Sequence, residues 1–303
     1  MPGAPTTEEP TSTTGLIGAA VAVTVWGLSG VVAKNIDMGG IAIAAYRFTL
    51  YAIVMSAVGW RSGIRLTPKV LKGTIWGGIA LGLDVALFFS AVKLTTIVNA
   101  TIIGAMQPVV VSIVAAKVFG EHITRRDLVL GLIALAGVAV VVTGSTEAPE
   151  WNLAGDLAAV GALVAWSAYF VANRLAKDKV TPREYTLGSA FYTGIINIPL
   201  ALCFGQSLAN PSTESWMWLI ALAFGSGVLG HELMNWSLRR IPLWLGSTFT
   251  LLVPIVSSSA AWIFLDEPLN PIQIAAMILV LGALGLVIAG QSGALKKPRP
   301  LRR

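Results

Sequence analysis

The chain has 303 residues, of which 55% are hydrophobic and only 12% charged, with a formal charge of +6 and one cysteine, Cys203. A soluble domain carries roughly a quarter of its residues as charges and needs polar faces on its surface helices, so this composition excludes a soluble enzyme. A single cysteine excludes an intramolecular disulfide.

Residues 1–14 are polar, acidic and rich in Thr and Pro, and are expected to form a short disordered cytoplasmic tail. They lack the basic start of a cleaved signal peptide, so the first apolar run is expected to stay as a span. About 20 apolar residues make a helix long enough to cross the hydrocarbon core. Ten such runs follow, near 15–36, 40–60, 72–93, 97–118, 128–145, 153–174, 186–205, 216–238, 243–264 and 271–290, joined by short loops. Residues 291–303 form a basic tail, whose reading is a topology anchor touching anionic lipid headgroups rather than a nucleic-acid site. The fold class is therefore an all-α polytopic membrane protein with ten transmembrane helices.

With ten spans, both tails and alternate loops share one side. All of the 21 Lys and Arg residues except Lys34, Lys93 and Arg47 fall on that side. Positive loops stay cytoplasmic, so the expectation is an integral protein of the cytoplasmic membrane with both termini inside.

The chain also repeats. PVVVSIVAAKVFGE, from Pro108 to Glu121, and PIVSSSAAWIFLDE, from Pro254 to Glu267, align at an offset of 146 residues, which also places Gly144 over Gly290. An offset of 140 places Trp26 over Trp166 and Lys34 over Arg174. The units are residues 15–145 and 153–290, five spans each. Five is odd, so the second unit enters the membrane inverted, an architecture of secondary transporters with the substrate site near the midplane.

On Trp26, the pair Arg47-Phe48, the stretch Pro108…Gly120-Glu121 and their second-unit counterparts Trp166 and Pro254…Glu267, the chain resembles the EamA type of the drug/metabolite transporter superfamily. The resemblance covers about residues 15–290. It departs at Asp266, which stands where the first unit has Gly120, so the two turns are not guaranteed the same backbone. It implies ten spans, a central cavity lined largely by the third, fourth, eighth and ninth, and transport of small metabolites, with export of amino acids or related compounds a frequent role.

Few ionisable residues lie inside the spans, and such residues face the protein interior or a water-filled cavity. Asp84, His231, Glu232 and Arg47 are the candidates for substrate charge or proton coupling. A carboxyl in such a place can exchange a substrate amine for a proton, and histidine titrates near neutrality. The competing reading of Asp84 is a structural ion pair with Arg47, since at about 1.5 Å per residue the two lie roughly 13 and 10 Å below the outer ends of their spans. The competing reading of Glu232 is hydration near the cytoplasmic end or pairing with Arg239 or Arg240. Asn99 and Gln107 share a helical face with Ile103 and can offer donors and acceptors. Trp26, Phe88, Trp166, Tyr169 and Trp236 are the aromatic cavity candidates, with packing as their alternative. Pro108 and Pro254 interrupt their helices, as flexing points or as fixed kinks. Glu121 and Glu267 are expected to orient the turns that follow their spans. Gly78 and Gly82 form a GxxxG spacing for close helix approach.

The rival class is an intramembrane enzyme. HELMN, from His231 to Asn235, misses the second histidine that the zinc motif HExxH needs. GxSxG, Walker A and CxxC frameworks do not occur, so no cofactor or metal is expected and the chain is read as a non-enzyme. A channel and a non-transporting scaffold remain as alternatives. The partners expected are a small-molecule substrate and the lipid bilayer, without nucleic acid. The sequence leaves open a monomer or a homodimer.

Overall fold

The computed structural model describes residues 11–144 and 152–294. The expected tails fall mostly outside them. Among the described residues there is no strand, and ten helical stretches are long and apolar enough to cross a membrane. The first three are α1 (Thr13–Lys34), α2 (Gly40–Ser62) and α3 (Pro68–Leu94). The fourth span is broken into α4 (Ile97–Gly104) and α5 (Gln107–Phe119). Then come α6 (Arg125–Thr143), α7 (Leu153–Leu175) and α8 (Pro182–Cys203). The eighth span joins α9 (Thr213–Leu222), a π-helical stretch (Ala223–His231) and α10 (Glu232–Ser237). The ninth joins α11 (Leu243–Thr248), a 3-10 turn (Phe249–Leu251) and α12 (Leu252–Phe264), and α13 (Pro271–Ala294) is the tenth.

The ends of these helices follow from local chemistry. Thr67, Thr96, Thr124, Thr181 and Ser212 each accept an amide of the first turn, and Thr124 with Asp127 and Thr181 with Glu184 form full capping boxes. Gly63 and Gly120 end α2 and α5 in the left-handed region that lacks a Cβ penalty.

The two five-span units pack into each other rather than side by side. Helix α3 lies along α7 and α8, α2 along α8, α1 along α12, and α6 along α13. Gly78 permits the α3–α8 approach, because a Cβ there would sit 2.4 Å from the Cβ of Tyr192; Gly82 faces Ile196 one turn on. Thr13 and Gln291 lie at one end of the bundle, called here the near end, and Lys34, Leu94 and Phe264 lie at the far end. The near half is solid, with Tyr169, Tyr185, Met234, Leu243 and Leu245 buried against one another.

The inversion is visible in the turns. Glu121 N donates to Ala115 O at 3.1 Å, and Glu267 N donates to Ala261 O at 3.3 Å, the same bond displaced by the repeat offset. Asp266 takes φ 54° where Gly120 takes φ 66°. Asp tolerates the left-handed region because its short side chain can bond locally. The replacement of Gly by Asp therefore leaves the turn unchanged.

Candidate functional site

A cavity of about 320 Å³ lies between the two units. Its walls come from the far halves of the spans: Trp26 and Ser29 from α1, Asp84 and Phe88 from α3, and Ala159, Ala162 and Trp166 from α7. The fourth and ninth spans contribute where they are broken, through Gly104 and Ala105 and through Thr250, Val253 and Pro254. The breaks have a cause. Proline lacks an amide and its ring collides with the carbonyl four residues back. For Pro108 that residue is Gly104, and for Pro254 it is Thr250, both on the cavity wall. Pro108 itself is buried at the start of α5, while Pro254 reaches the cavity directly. The site thus draws on the first, second and sixth spans as well as on the third, fourth, eighth and ninth, Arg47 coming from the second and His231 from the eighth.

The polar groups of the cavity are few. Arg47 Nη2 lies 3.2 Å from His231 Nε2, and its guanidinium carbon stands 4.5 Å over the Phe48 ring. A guanidinium only donates, so Nε2 is the acceptor and the ring proton sits on Nδ1, which has no partner. Asp84 lines the same cavity, partly exposed to it, and makes no hydrogen bond or ion pair within 4.0 Å among the described residues. The ion pair with Arg47, the competing reading of Asp84, is therefore not formed in this conformation. A carboxylate left without a partner in a membrane protein is costly.

The aromatic wall is built across the repeat. Trp26 and Trp166, equivalent in the two units, meet edge to face with centroids 5.3 Å apart. His231 is enclosed by Trp26 at 5.0 Å, Phe48 at 5.5 Å and Tyr169 at 5.9 Å. Trp26 Nε1 donates to Ser226 O at 3.3 Å, so the ring is held by the π-helical stretch.

Several expected site residues are placed elsewhere. Glu232 does not line the cavity; it pairs with Arg183 at 2.5 Å toward the near end. Asn99 is not on the cavity wall, because α4 presents Ala100, Thr101 and Gly104 to it, while Asn99 donates to Asp156 Oδ1 of α7 at 3.3 Å and to Thr95 Oγ1 at 3.2 Å. Gln107 is fully buried one layer back, its Oε1 accepting from Thr250 Oγ1 at 2.9 Å. Tyr169 lies behind Trp166, stacked at 5.5 Å, with its hydroxyl accepting from Asn235 Nδ2 at 2.7 Å. Trp236 faces away from the cavity and carries the Arg240 guanidinium 3.9 Å over its ring. Asn235, the residue that ends HELMN, is spent in a buried network with Asn173, Tyr169 and Thr186.

Glu121 and Glu267 are both at turns, but their partners differ. Glu121 accepts from Leu243 N at 2.8 Å and Trp244 N at 3.1 Å and pairs with Arg174 at 3.2 Å. Among the described residues the Glu267 side chain pairs with Lys34 alone.

Ser29, Thr101 and Thr250 were missed as wall residues, and no sequence signal separates them from other small polar residues in the spans. The π-helical stretch was not legible in the spacing either; such stretches are frequent at functional sites. Its glycines, in GSGVLGH from Gly225 to His231, were the available sign.

The family model of the EamA-like transporters matches residues 13–143 and 153–289. The chain is similar to a protein of Salmonella typhimurium named as a probable amino-acid metabolite efflux pump, 26% identical over 285 residues, with 90% of this chain and 94% of that one covered. It is similar to the aromatic amino acid exporter YddG of Ancylobacter novellus, 26% identical over 252 residues, covering 80% of this chain and 85% of that one. A solved crystal structure shares the fold, with TM-score 0.78 at 22% identity over 93% of this chain and 99% of its own.

Proposed function

The chain belongs to the EamA-like transporter family, and from that premise we propose that it exports a small zwitterionic metabolite, an amino acid or a close relative, by proton-coupled alternating access. The observation that carries this reading is the Asp84 carboxylate, without a partner, in a cavity that also presents Arg47 and an aromatic wall between two inverted units. A substrate ammonium satisfies Asp84. Its carboxylate meets the Arg47 guanidinium, whose fork suits that geometry. An apolar side chain lies on Trp26, Trp166 and Phe88. When the substrate leaves, a proton on Asp84 relieves the same unpaired charge, which couples the two fluxes. The names of the relatives above support the amino-acid class and the outward direction.

The density of Lys and Arg at the near end supports placing that end, with both termini, in the cytoplasm of a plasma-membrane protein. The cavity in this conformation then opens outward.

The test uses proteoliposomes loaded with labelled L-phenylalanine, L-leucine or L-threonine, with and without an imposed proton gradient. Wild type is expected to move at least one of them faster with the gradient, and Asp84→Asn to lose the acceleration. Equal acceleration in the variant would remove Asp84 from the coupling.

A further inference from the structure

The two repeat-related glutamates are in different states, and the difference tracks which end of the molecule is shut. At the near end, Glu121 is closed on its target: its two oxygens take the first two amides of α11, Leu243 and Trp244, and Arg174 closes the group from α7. Helix α11 has no cap of its own, since its N-cap is Pro242 without a side-chain bond. The Glu121 side chain is 9% exposed and that of Arg174 19%. Arg174 Nη1 also donates to Leu238 O at 3.0 Å, so one cluster ties the end of the fourth span to the sixth, to the eighth–ninth connection and to the start of the ninth. Beyond it the near half is packed solid.

At the far end the same parts are present and unassembled. The repeat offset of 146 carries Glu121 to Glu267, Leu243 to Ile97 and Trp244 to Val98, and the offset of 140 carries Arg174 to Lys34. Glu267 has its cation, Lys34, but does not reach α4; the side chains of Glu267 and Lys34 are 52% and 59% exposed. The first turn of a helix leaves its amides without intrahelical partners. In α4 Thr96 takes the third of these, Asn99 N at 3.2 Å; the first two amides, of residues 97 and 98, are the positions equivalent to those that Glu121 occupies on α11. The cavity lies on this side, between α4 and α12.

We propose that Glu121–Arg174 and Glu267–Lys34 are the alternating locks of the transport cycle, each closing its end of the protein by seating a glutamate on the first turn of the broken helix in the opposite unit. In the state seen here Glu121 sits on α11 and the near end is shut. In the opposite state Glu267 sits on Ile97 and Val98 of α4 with Lys34 against it, and Glu121 releases Leu243 and Trp244. The two seatings exclude each other because the two units rock as bodies about the central cavity. Each lock combines an ion pair with charge-assisted amide bonds, the strong class of hydrogen bond. The proposal rests on the alternating-access reading above.

The test reads both ends at once. Spin labels at Lys117 and Lys179 report the near end, and labels at Lys93 and Phe264 the far end, each pair in a Cys203→Ser chain reconstituted in nanodiscs. Distances are measured by pulsed electron resonance with and without L-phenylalanine and L-leucine. Glu121→Gln keeps the shape but loses the charge opposite Arg174. It is expected to raise the ratio of near-open to near-shut molecules by roughly tenfold, the equivalent of one charged hydrogen bond, and to shorten the far-end distance in the same molecules. A glutamate that only stabilised the near end would loosen that end and leave the far-end distance as it was, which would overturn the proposal. Glu267→Gln is expected to do the opposite, depleting the far-shut population about tenfold while leaving the state described here folded, because Glu267 is half exposed in it. No change in Glu267→Gln would equally overturn the proposal. If wild type shows two distances at each end and neither variant shifts them, the locks fail and alternating access stands. If no chain shows a second distance at either end, with or without the amino acids, alternating access fails and takes the locks with it.

Discussion

At the residue scale, the sequence singled out four ionisable groups in the spans, and the structure sorts them by what they touch. Arg47, Asp84 and His231 converge on one cavity, while Glu232 leaves it for Arg183. Sequence proximity misled here: Glu232 is next to His231, but adjacent residues on a helix point about 100° apart, so one enters the cavity and the other does not. The Arg183–Glu232 pair is solvent-screened, with the Arg183 side chain 62% exposed, and such pairs contribute about 0–1 kcal/mol. Glu232→Gln should therefore shift the melting temperature little and leave transport near the wild-type rate. Loss of transport with the melting temperature unchanged would return Glu232 to the coupling machinery. The same sorting explains Asn99 and Gln107. Their spacing is right for one face of a continuous helix, but the helix is not continuous, and the break at Ala105 and Met106 separates their directions.

At the scale of elements, the spans were legible because hydropathy and length decide them, and most of their ends because Thr, Ser, Pro and Gly decide those. What is local and asymmetric was not. The turn at Asp266 is an instance: its non-glycine residue left the backbone open, and φ 54° matches the left-handed turn at Gly120. A residue with Cβ pays roughly 1–2 kcal/mol there, less for Asp. Asp266→Gly should consequently be neutral or stabilising by up to about 1 kcal/mol, and Asp266→Val destabilising by about 1–2 kcal/mol, read from thermal unfolding in detergent. A Val variant as stable as wild type would mean that the turn is not held in this conformation. Pro108 and Pro254 show the reverse case, in which the sequence marked the break and the structure places it: the residues four back, Gly104 and Thr250, line the cavity.

At the scale of the whole molecule, the inverted repeat sets two ends with different charge, one closely packed and one bordering the cavity. Cys203 tests the orientation cleanly. It is the only cysteine, it is exposed, and it ends α8 at the far end. A membrane-impermeant maleimide should label it in intact cells, and should not reach a cysteine placed in the 174–185 connection until the cells are permeabilised. The reverse pattern would invert the topology. The ten spans, the inverted repeat and the side on which positive charge collects were readable along one chain, since each depends on composition, period or spacing, and the family was readable from the resemblance at Trp26, Arg47-Phe48 and the stretch from Pro108 to Glu121. Only the tertiary structure decided which of the marked residues share the cavity, that Asp84 and Arg47 line it without bonding each other, and that Glu121 is seated where Glu267 is not. The reason is geometric. These facts depend on the relative rotation and spacing of helices that are distant in the chain, which neither composition nor period along one chain determines.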